Sequence, residues 1–424
     1  MRKLLVFNSI GTQENRLMSG FDASGIDYLA VSLNPEIQPS EKITDIFTVA
    51  GQIKHVNKPV FFSHYKIDER YELQSDFQFG MLKLLGKTLA NFTYYSDLHR
   101  ILQHVTYLGE NNKIAFMERY AKDGTPISQT FYKEEKPAYQ EFLGSTPLAI
   151  SYNDEGLING VSYNGQTISY RGFVSQTISK IIEDGDFDEM VFNHFGDPLS
   201  VAIDVDLIPS TAIFSEEAQD IPGNLVSVLE GKFNPKRVVF TGPAKRWIND
   251  PRVKASSLQV YALDVPAEIT KTGQQIDQAY VSTSTDDLTN IEELVRDNSN
   301  VTFNITAPTT MSDKLNNLVK YDNVNLFPNV GFFDLEDLIK TNGIYLDINN
   351  GNEVGNIIYQ AISAGAIVLS DTRASRELQS PMKPTTEVLQ KIVKSRKDFE
   401  EVRNQINGDM GIGDNSDFEQ IFKK

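Results

Sequence analysis

The chain has 424 residues, 40% of them hydrophobic, so it is long enough for two or three domains with real cores and is not a disordered protein. Its formal net charge of −17, from 40 basic and 57 acidic residues, argues against nucleic acid as the main partner. The sequence contains no cysteine, which excludes disulfides, thiolate zinc sites and cysteine nucleophiles and suits a reducing cytoplasm.

The first residues combine a basic flank with a short apolar run. Residues 1–8 are Met-Arg-Lys-Leu-Leu-Val-Phe-Asn, and this run is too short for a signal peptide. No stretch of 18 apolar residues occurs anywhere in the sequence. We therefore expect a cytoplasmic protein that does not span a membrane.

Strands of a parallel α/β domain are predicted at both ends of the first 263 residues. Residues 2–8 are apolar and precede a helical stretch, which is typical of a strand buried on both faces. Further strands of the same sheet are predicted at 26–33, 189–193, 211–214 and 237–241. This pattern predicts an N-terminal Rossmann-like domain made of residues 1–54 together with 173–263.

The intervening residues 55–172 follow a different pattern. Aromatic residues recur beside turn signals at the intervals of short antiparallel strands joined by hairpins. Asp123-Gly124 and Asn164-Gly165 are dipeptides that favour hairpin turns. The segment is interpreted as a β-meander inserted into the first domain, and we expect the α/β domains to fold without it. A small structural sheet that binds no ligand is the alternative.

The alternation of strands and helices returns after residue 263. Strands are predicted at 278–283, 301–305, 324–327, 344–348 and 366–370. Helices are predicted between them at 286–296, 310–319 and 333–340. This pattern predicts a C-terminal Rossmann-like domain over 264–385. A charged helix at 387–404 and a loosely ordered tail after Gly408 form the last segment, 386–424. The predicted fold class is therefore α/β, with two facing Rossmann-like domains and an antiparallel β-meander inserted in the first.

The second domain contains an incomplete version of a nucleotide-sugar site. In glycosyltransferases with two facing α/β domains (GT-B-like), one Glu in a loop and a second Glu on the following helix bind the donor. Counting back from Gly365, these positions fall on Asn352, next to Glu353, and on Gln360. A neutral amide binds ribose hydroxyls more weakly than a carboxylate does. We therefore predict a degenerate donor cleft at Asn352, Glu353 and Gln360, with no catalytic residue, no metal site and no cofactor.

Four segments carry a resemblance to a known family: Asp220–Leu225, Tyr321–Pro328, Ile344–Asn349 and His194–Pro198. Together with the inserted sheet, they resemble the GtfB-like family. These proteins are stabilising, or chaperone, subunits of the bacterial O-GlcNAc transferase that modifies serine-rich-repeat adhesins before accessory-Sec export. The resemblance implies that a partner glycosyltransferase subunit binds the UDP-sugar and performs the chemistry. It also implies that this subunit stabilises the partner, holds the unfolded Ser/Thr-rich adhesin and associates peripherally with the inner face of the membrane.

Two functions remain open at this point. The first is a non-catalytic stabilising and acceptor-binding subunit, and the second is an active retaining glycosyltransferase with a divergent donor site. An extended Ser/Thr-rich peptide offers few apolar anchors, so its binder is expected to use exposed sheet edges and shallow aromatic contacts. The acceptor-binding residues predicted on this basis are Tyr107, Arg119, Tyr120, Tyr132, Tyr152, Tyr163, Tyr170 and Arg171.

Overall fold

The computed structural model describes residues 2–35, 40–75, 79–95, 100–215, 220–233, 235–266, 274–330, 332–351, 357–371, 382–409, 412–413 and 415–423. The strands, in chain order, are β1 (Arg2–Phe7), β2 (Asp27–Ser32), β3 (Ile43–Asp45), β4 (Glu72–Ser75), β5 (Phe79–Leu84), β6 (Lys87–Tyr94), β7 (Leu102–Leu108), β8 (Ile114–Tyr120), β9 (Pro126–Lys133), β10 (Lys136–Phe142), β11 (Leu148–Tyr152), β12 (Ile158–Tyr163), β13 (Gln166–Ile168), β14 (Phe187–Phe192), β15 (Ser210–Phe214), β16 (Arg237–Phe240), β17 (Gln259–Ala262), β18 (Val265–Pro266), β19 (Gln275–Ser282), β20 (Thr302–Thr306), β21 (Val324–Phe327), β22 (Asn342–Asp347), β23 (Ile367–Ser370) and β24 (Ile412–Gly413).

The helices, in chain order, are α1 (Thr12–Ala23), α2 (Ile46–Gly51), α3 (Tyr170–Asp184), α4 (Asp197–Val205), α5 (Gly223–Leu229), α6 (Pro251–Lys254), α7 (Ile291–Asp297), α8 (Asp313–Asn316), α9 (Phe332–Thr341), α10 (Ile357–Ser363), α11 (Thr386–Lys394), α12 (Arg396–Asp409) and α13 (Asn415–Phe422). In the part of the chain that the structure describes, none of them is both long and apolar enough to cross a lipid bilayer.

The first parallel sheet has the strand order β17-β16-β15-β14-β1-β2-β3. Its central strands are apolar on both faces because helices cover both, and residues 4–7 of β1 are fully buried. All five strands predicted for this sheet are confirmed. The sequence patterns missed β3 and β17, which are short edge strands with half-exposed residues and therefore carry little hydrophobic signal.

The antiparallel sheet connects its strands in sequence order, from β4 at one edge to β13 at the other. Asn164 and Gly165 both have positive φ, 50° and 76°, as a two-residue hairpin turn requires. One face of this sheet packs on the first parallel sheet and its helices. The ring of Phe142 stacks on that of Phe47 at 4.4 Å, and Leu148 and Ile150 belong to the same buried cluster. Contrary to expectation, the insertion shares a core with the first domain and cannot be removed without exposing it.

The second parallel sheet has the order β21-β20-β19-β22-β23, and all five of its predicted strands are confirmed. The predicted helix at 387–404 is two helices, α11 and α12. The break falls at Ser395, which has extended backbone dihedrals and whose Oγ accepts a hydrogen bond of 3.1 Å from the Asp398 amide. A serine that caps the following helix in this way stops the preceding one. Phe399 and Leu389 from these helices are fully buried against the sheet.

The C-terminal residues, expected to be loosely ordered, instead form α13 and pack on the first domain. Phe418 and Phe422 are fully buried, and their rings lie 5.0 and 5.1 Å from that of Phe21 on α1. The chain also crosses between the two parallel-sheet regions here, because β18 pairs with β24. Gly20 permits this approach, since a Cβ at that position would lie 2.6 Å from the Val265 side chain.

Candidate functional site

The antiparallel sheet has two unlike faces. Residues directly opposite one another in neighbouring strands have side chains on the same face. Phe142 pairs with Leu148 and Ile150 pairs with Val161, and these residues lie on the inner face, against the first domain. The opposite, outer face is where Tyr107 of β7 pairs with Phe116 of β8. Because the inner face is covered by the first domain, a partner or ligand can contact this sheet only on its outer face.

Four aromatic residues form a continuous row across the outer face, one from each of β7 to β10: Tyr107, Phe116, Phe131 and Tyr139. The ring centroids of successive residues lie 4.3, 5.9 and 6.4 Å apart, and the first two pairs are stacked. Phe131 and Tyr139 are 40% and 42% exposed. This outer aromatic row therefore presents apolar ring surface to solvent, where it can contact a ligand.

A polar row runs beside the aromatic one. Glu118, Gln129 and Glu141 are cross-strand partners in β8, β9 and β10 and lie on the same outer face. The Gln129 amide donates a hydrogen bond of 3.2 Å to Oε1 of Glu118, whereas Glu141 is exposed. This outer polar row places hydrogen-bonding groups and negative charge within reach of anything that lies on the rings.

Residues 60–71, an irregular stretch of chain with a short 3₁₀ helix at Phe62–His64, cover the other half of the outer face. In this covering segment, the rings of Phe62 and Tyr65 lie 5.1 and 5.0 Å from that of Phe92 on β6. Leu82, Phe92 and Val105 are buried beneath the segment. The outer face is thus closed over β5 to β7 and open over β8 to β10, with Tyr107 at the border.

Glu118 marks that border. The hydroxyl groups of Tyr65 and Tyr107 lie 2.5 Å apart, and each lies 3.4 Å from Oε2 of Glu118. The hydroxyl of Tyr120 donates to the same oxygen at 3.0 Å. Burial raises the pKa of all three phenols above the ordinary tyrosine value, so they remain neutral donors. These residues and Gln129 are called the Glu118 cluster below.

The structure separates the residues proposed from the sequence for acceptor binding. Tyr107 and Tyr120 lie on the outer face. Arg119 lies on the inner face and donates to the backbone carbonyl of Pro35 at 3.3 Å. His104 pairs with Arg119 across the strands, and burial, together with that cation, lowers its pKa to about 4.

The remaining predicted residues contact the first domain. Tyr152 and Tyr163 pack against the buried cluster shared with α3, and Tyr132 alternates to the same inner face. Tyr170 begins α3, where its hydroxyl donates to the Leu33 carbonyl at 3.1 Å and burial raises its pKa to about 12. Arg171, also on α3, makes a two-pronged ion pair with Asp204 at 2.5 and 2.6 Å.

Three residues of the outer aromatic row were missed by the sequence patterns: Phe116, Phe131 and Tyr139. The residues predicted from the sequence are aromatics that lie beside turns, whereas Phe116 and Phe131 lie within strands. The alternation in residues 114–120 did indicate that residues 116, 118 and 120 share a face. Pairing successive hairpins would have brought Phe116 opposite Phe131.

The predicted donor cleft is only partly within the described residues. Asn352 and Glu353 lie outside them, and Gln360 is half-buried on α10. The described loops after β19 and β22, residues 283–289 and 348–351, contain Asp286 and Asp287 and no basic residue. These carboxylates would repel a diphosphate, which a donor site must attract. Among the described residues there is also no group of three or more side chains suited to holding a metal ion.

Two family models match the chain. The GtfB middle domain matches residues 71–148, which contain the outer aromatic row and, apart from Tyr65, the Glu118 cluster. The GftB/GlyA-F C-terminal domain matches residues 279–407, which contain most of the second parallel sheet. Most of the residues assigned to the outer face, and the predicted donor cleft, thus lie within the segments that these models match.

Curated relatives and solved structures extend the similarity along most of the chain. The UDP-N-acetylglucosamine–peptide N-acetylglucosaminyltransferase stabilizing protein GtfB of Limosilactobacillus reuteri is 24% identical, with 86% of each chain aligned. The protein of the same name from Streptococcus gordonii is 23% identical over 78% of this chain and 76% of its own. A chain of the crystal structure of the GtfA/B complex bound to UDP and GlcNAc superposes with a TM-score of 0.81 at 17% identity, covering 99% of each chain. Over most of its length the chain is therefore similar to the GtfB-like glycosyltransferase-stabilising proteins.

Proposed function

We propose that this chain is a non-catalytic subunit that stabilises a partner O-GlcNAc transferase and binds the unfolded Ser/Thr-rich adhesin acceptor during protein O-glycosylation. Its curated relatives are named as stabilising proteins of such a transferase, and a chain with the same fold occurs in the GtfA/B complex. The acceptor site is assigned to the outer aromatic row and the outer polar row.

The exposure of the outer aromatic row is the observation that carries this assignment. An extended Ser/Thr-rich peptide has small side chains, so stacked rings on an open sheet can contact its backbone and methyl groups without needing a deep pocket. Gln129 and Glu141, beside that row, supply acceptors for hydroxyl groups along the same line. The site is thus suited to a repetitive polymer rather than to one short sequence.

An active retaining glycosyltransferase is the alternative function. The acidic loop after β19, and the neutral Gln360, argue against donor binding by this chain. Donor binding and chemistry are accordingly assigned to the partner subunit.

The domain division and location are part of the same proposal. Residues 1–54 with 173–263 and residues 264–385 form two facing Rossmann-like, GT-B-like domains. Residues 55–172 form the acceptor-binding insertion, and 386–424 the C-terminal segment. The protein acts in the cytoplasm, with peripheral association at the inner face of the membrane, before export of the adhesin by the accessory Sec system.

Co-expression tests the stabilising role. The partner transferase should be less soluble alone, or less active on protein acceptors, and should recover when this chain is present, because exposed apolar surface on each subunit is covered in the complex. Soluble yield and glycosylation of an adhesin fragment are the two measurements. A transferase that is equally soluble and equally active without this chain would refute the role.

Truncation of the outer aromatic row should weaken acceptor binding. Phe131→Ala and Tyr139→Ala are each expected to cost about 1 kcal/mol or more, roughly a fivefold rise in Kd, because each removes an exposed ring that stacks on the acceptor. Titration of a fluorescent Ser/Thr-rich adhesin peptide measures this. Leu85→Ala is the control, since Leu85 is 95% exposed at a turn of the same sheet outside the row. Equal affinities for all three variants would remove the row from the acceptor site.

Changes in the degenerate donor cleft should have little effect. Gln360→Ala is expected to leave complex-dependent glycosylation within about twofold of wild type, because the partner binds the donor. Isothermal calorimetry of the isolated chain with UDP-N-acetylglucosamine should show no heat of binding. A large loss of activity in Gln360→Ala, with normal folding and assembly, would instead support the active-transferase alternative.

A further inference from the structure

A single carboxylate joins the closed and open halves of the outer face. Glu118 accepts from Tyr120 at 3.0 Å, and the hydroxyls of Tyr65 and Tyr107 lie 3.4 Å from the same oxygen. Its other oxygen accepts from the Gln129 amide at 3.2 Å. Tyr65 belongs to the covering segment, whereas the other three partners belong to β7, β8 and β9. The Glu118 cluster therefore ties the segment to the sheet at the edge of the open half.

The groups in this cluster depend on Glu118 for their hydrogen bonds. Hydroxyl donors bind a carboxylate more strongly than a neutral acceptor, and a half-buried phenol that loses its acceptor is destabilised. Tyr65 also contacts Phe92 edge-on, with its ring centroid at 5.0 Å, so the hydroxyl contacts fix a ring that is already packed. Without Glu118, the covering segment would keep its apolar contacts. It would lose the contact between the Tyr65 hydroxyl and the Glu118 carboxylate at the border of the open half.

Tyr107 contacts both the Glu118 cluster and the open half of the outer face. Its hydroxyl lies in the Glu118 cluster, and its ring stacks on Phe116 at 4.3 Å with an interplanar angle of 14°. Phe116 is the second ring of the outer aromatic row. A shift of the Tyr107 ring would therefore disturb the first stacked pair of that row.

We propose that Glu118 is a positioning residue for acceptor binding. It holds Tyr107 in line with the outer aromatic row and keeps the covering segment off the open half of the face. With both oxygens occupied by donors from this chain, Glu118 acts through Tyr107 and Tyr65 and does not bind the acceptor itself. This inference rests on the proposed acceptor-binding function of the outer face.

The chain offers matched variants to test it. Glu118→Ala removes the acceptor oxygens, and Glu118→Gln keeps one of them while removing the charge. Tyr65→Phe removes one hydroxyl and preserves the ring, so it tests the same contact if Glu118→Ala does not fold. Glu110→Ala is the control, because Glu110 is an exposed carboxylate at the turn between β7 and β8, outside both outer rows.

Two measurements distinguish the positioning role of Glu118 from the acceptor-binding function of the outer face, on which it rests. Lys66 and Arg70 are exposed in the covering segment, so the rate of tryptic cleavage after them reports how firmly the segment is held. In the complex with the partner transferase, the KM for a Ser/Thr-rich adhesin fragment and kcat report acceptor positioning. Cleavage is measured on the chain alone and needs no acceptor.

Glu118→Ala should be cleaved roughly tenfold faster than wild type and should raise KM about fivefold with kcat unchanged. Tyr65→Phe should be cleaved roughly threefold faster and should raise KM about threefold with kcat unchanged. Glu118→Gln, which keeps one neutral acceptor oxygen, should fall between wild type and Glu118→Ala in both measurements. Glu110→Ala should stay within about twofold of wild type in both measurements. Faster cleavage of Glu118→Ala with an unchanged KM would overturn the positioning role. Unchanged cleavage would show that the cluster does not hold the segment. If Phe131→Ala also left KM unchanged, the acceptor site itself would have been misassigned.

Discussion

The Phe418→Ala variant is expected to lose about 3–5 kcal/mol of the free energy of unfolding, one of the two largest effects predicted here. Phe418 is fully buried on α13, and its ring lies 5.0 Å from Phe21 and 4.6 Å from Phe422. Removing it leaves a cavity between α13 and the first domain. Since α13 is the element that returns the chain to that domain, the helix should then separate from it more readily.

Denaturant unfolding measures the loss, and hydrogen exchange locates it in α1 and α13. Phe79→Ala is the control, because Phe79 is 55% exposed in the antiparallel sheet and should change stability by less than about 1 kcal/mol. A Phe418→Ala protein as stable as the Phe79→Ala protein would contradict the packing of the C-terminal helix described above.

The Arg237→Ala variant is expected to lose a similar amount, about 3–5 kcal/mol, for an electrostatic reason. The Arg237 guanidinium is buried, donates to both carboxylate oxygens of Glu189 at 2.6 and 2.9 Å, and also donates to the Ile421 carbonyl. Lys3, also buried, lies 3.1 Å from Glu189. Removing the guanidinium leaves the carboxylate with one buried cation and the end of α13 without its donor.

Arg252→Ala is the matched control for this prediction. Arg252 also forms ion pairs, with Asp220 at 2.5 Å and Asp250 at 2.9 Å, but it is 39% exposed. Solvent screens such pairs, so its removal should cost far less than the removal of Arg237. Thermal and denaturant unfolding of the two variants should therefore differ clearly. Equal losses would mean that burial does not make the Arg237 network exceptional.

The elements of both parallel sheets follow from local sequence. Buried parallel strands are short continuous apolar runs, such as residues 2–7 and 344–348, and their hydrophobicity is visible without knowledge of their neighbours. The hairpins of the antiparallel sheet are visible for a related reason, because dipeptides such as Asn164-Gly165 favour the positive φ values that the turn needs. Half-exposed edge strands such as β17 lack both signals.

The candidate site was predictable only in part. Aromatic residues in the insertion predicted a binding site on this sheet, and Tyr107 and Tyr120 lie on its outer face. Tyr152, Tyr163 and Tyr170 contact the first domain instead. Alternation within a strand divides its residues between two faces, but it does not say which face another domain covers.

By itself, the sequence determined the α/β class and the inserted sheet, because these depend on periodicity and on turn residues. Only the tertiary structure decided that Phe116, Phe131 and Tyr139 form a row, that Glu118 joins it to the covering segment, and that α13 packs against α1. These contacts join residues far apart in the chain or on separate strands. They arise from strand pairing and from burial of apolar faces, which local sequence patterns do not specify.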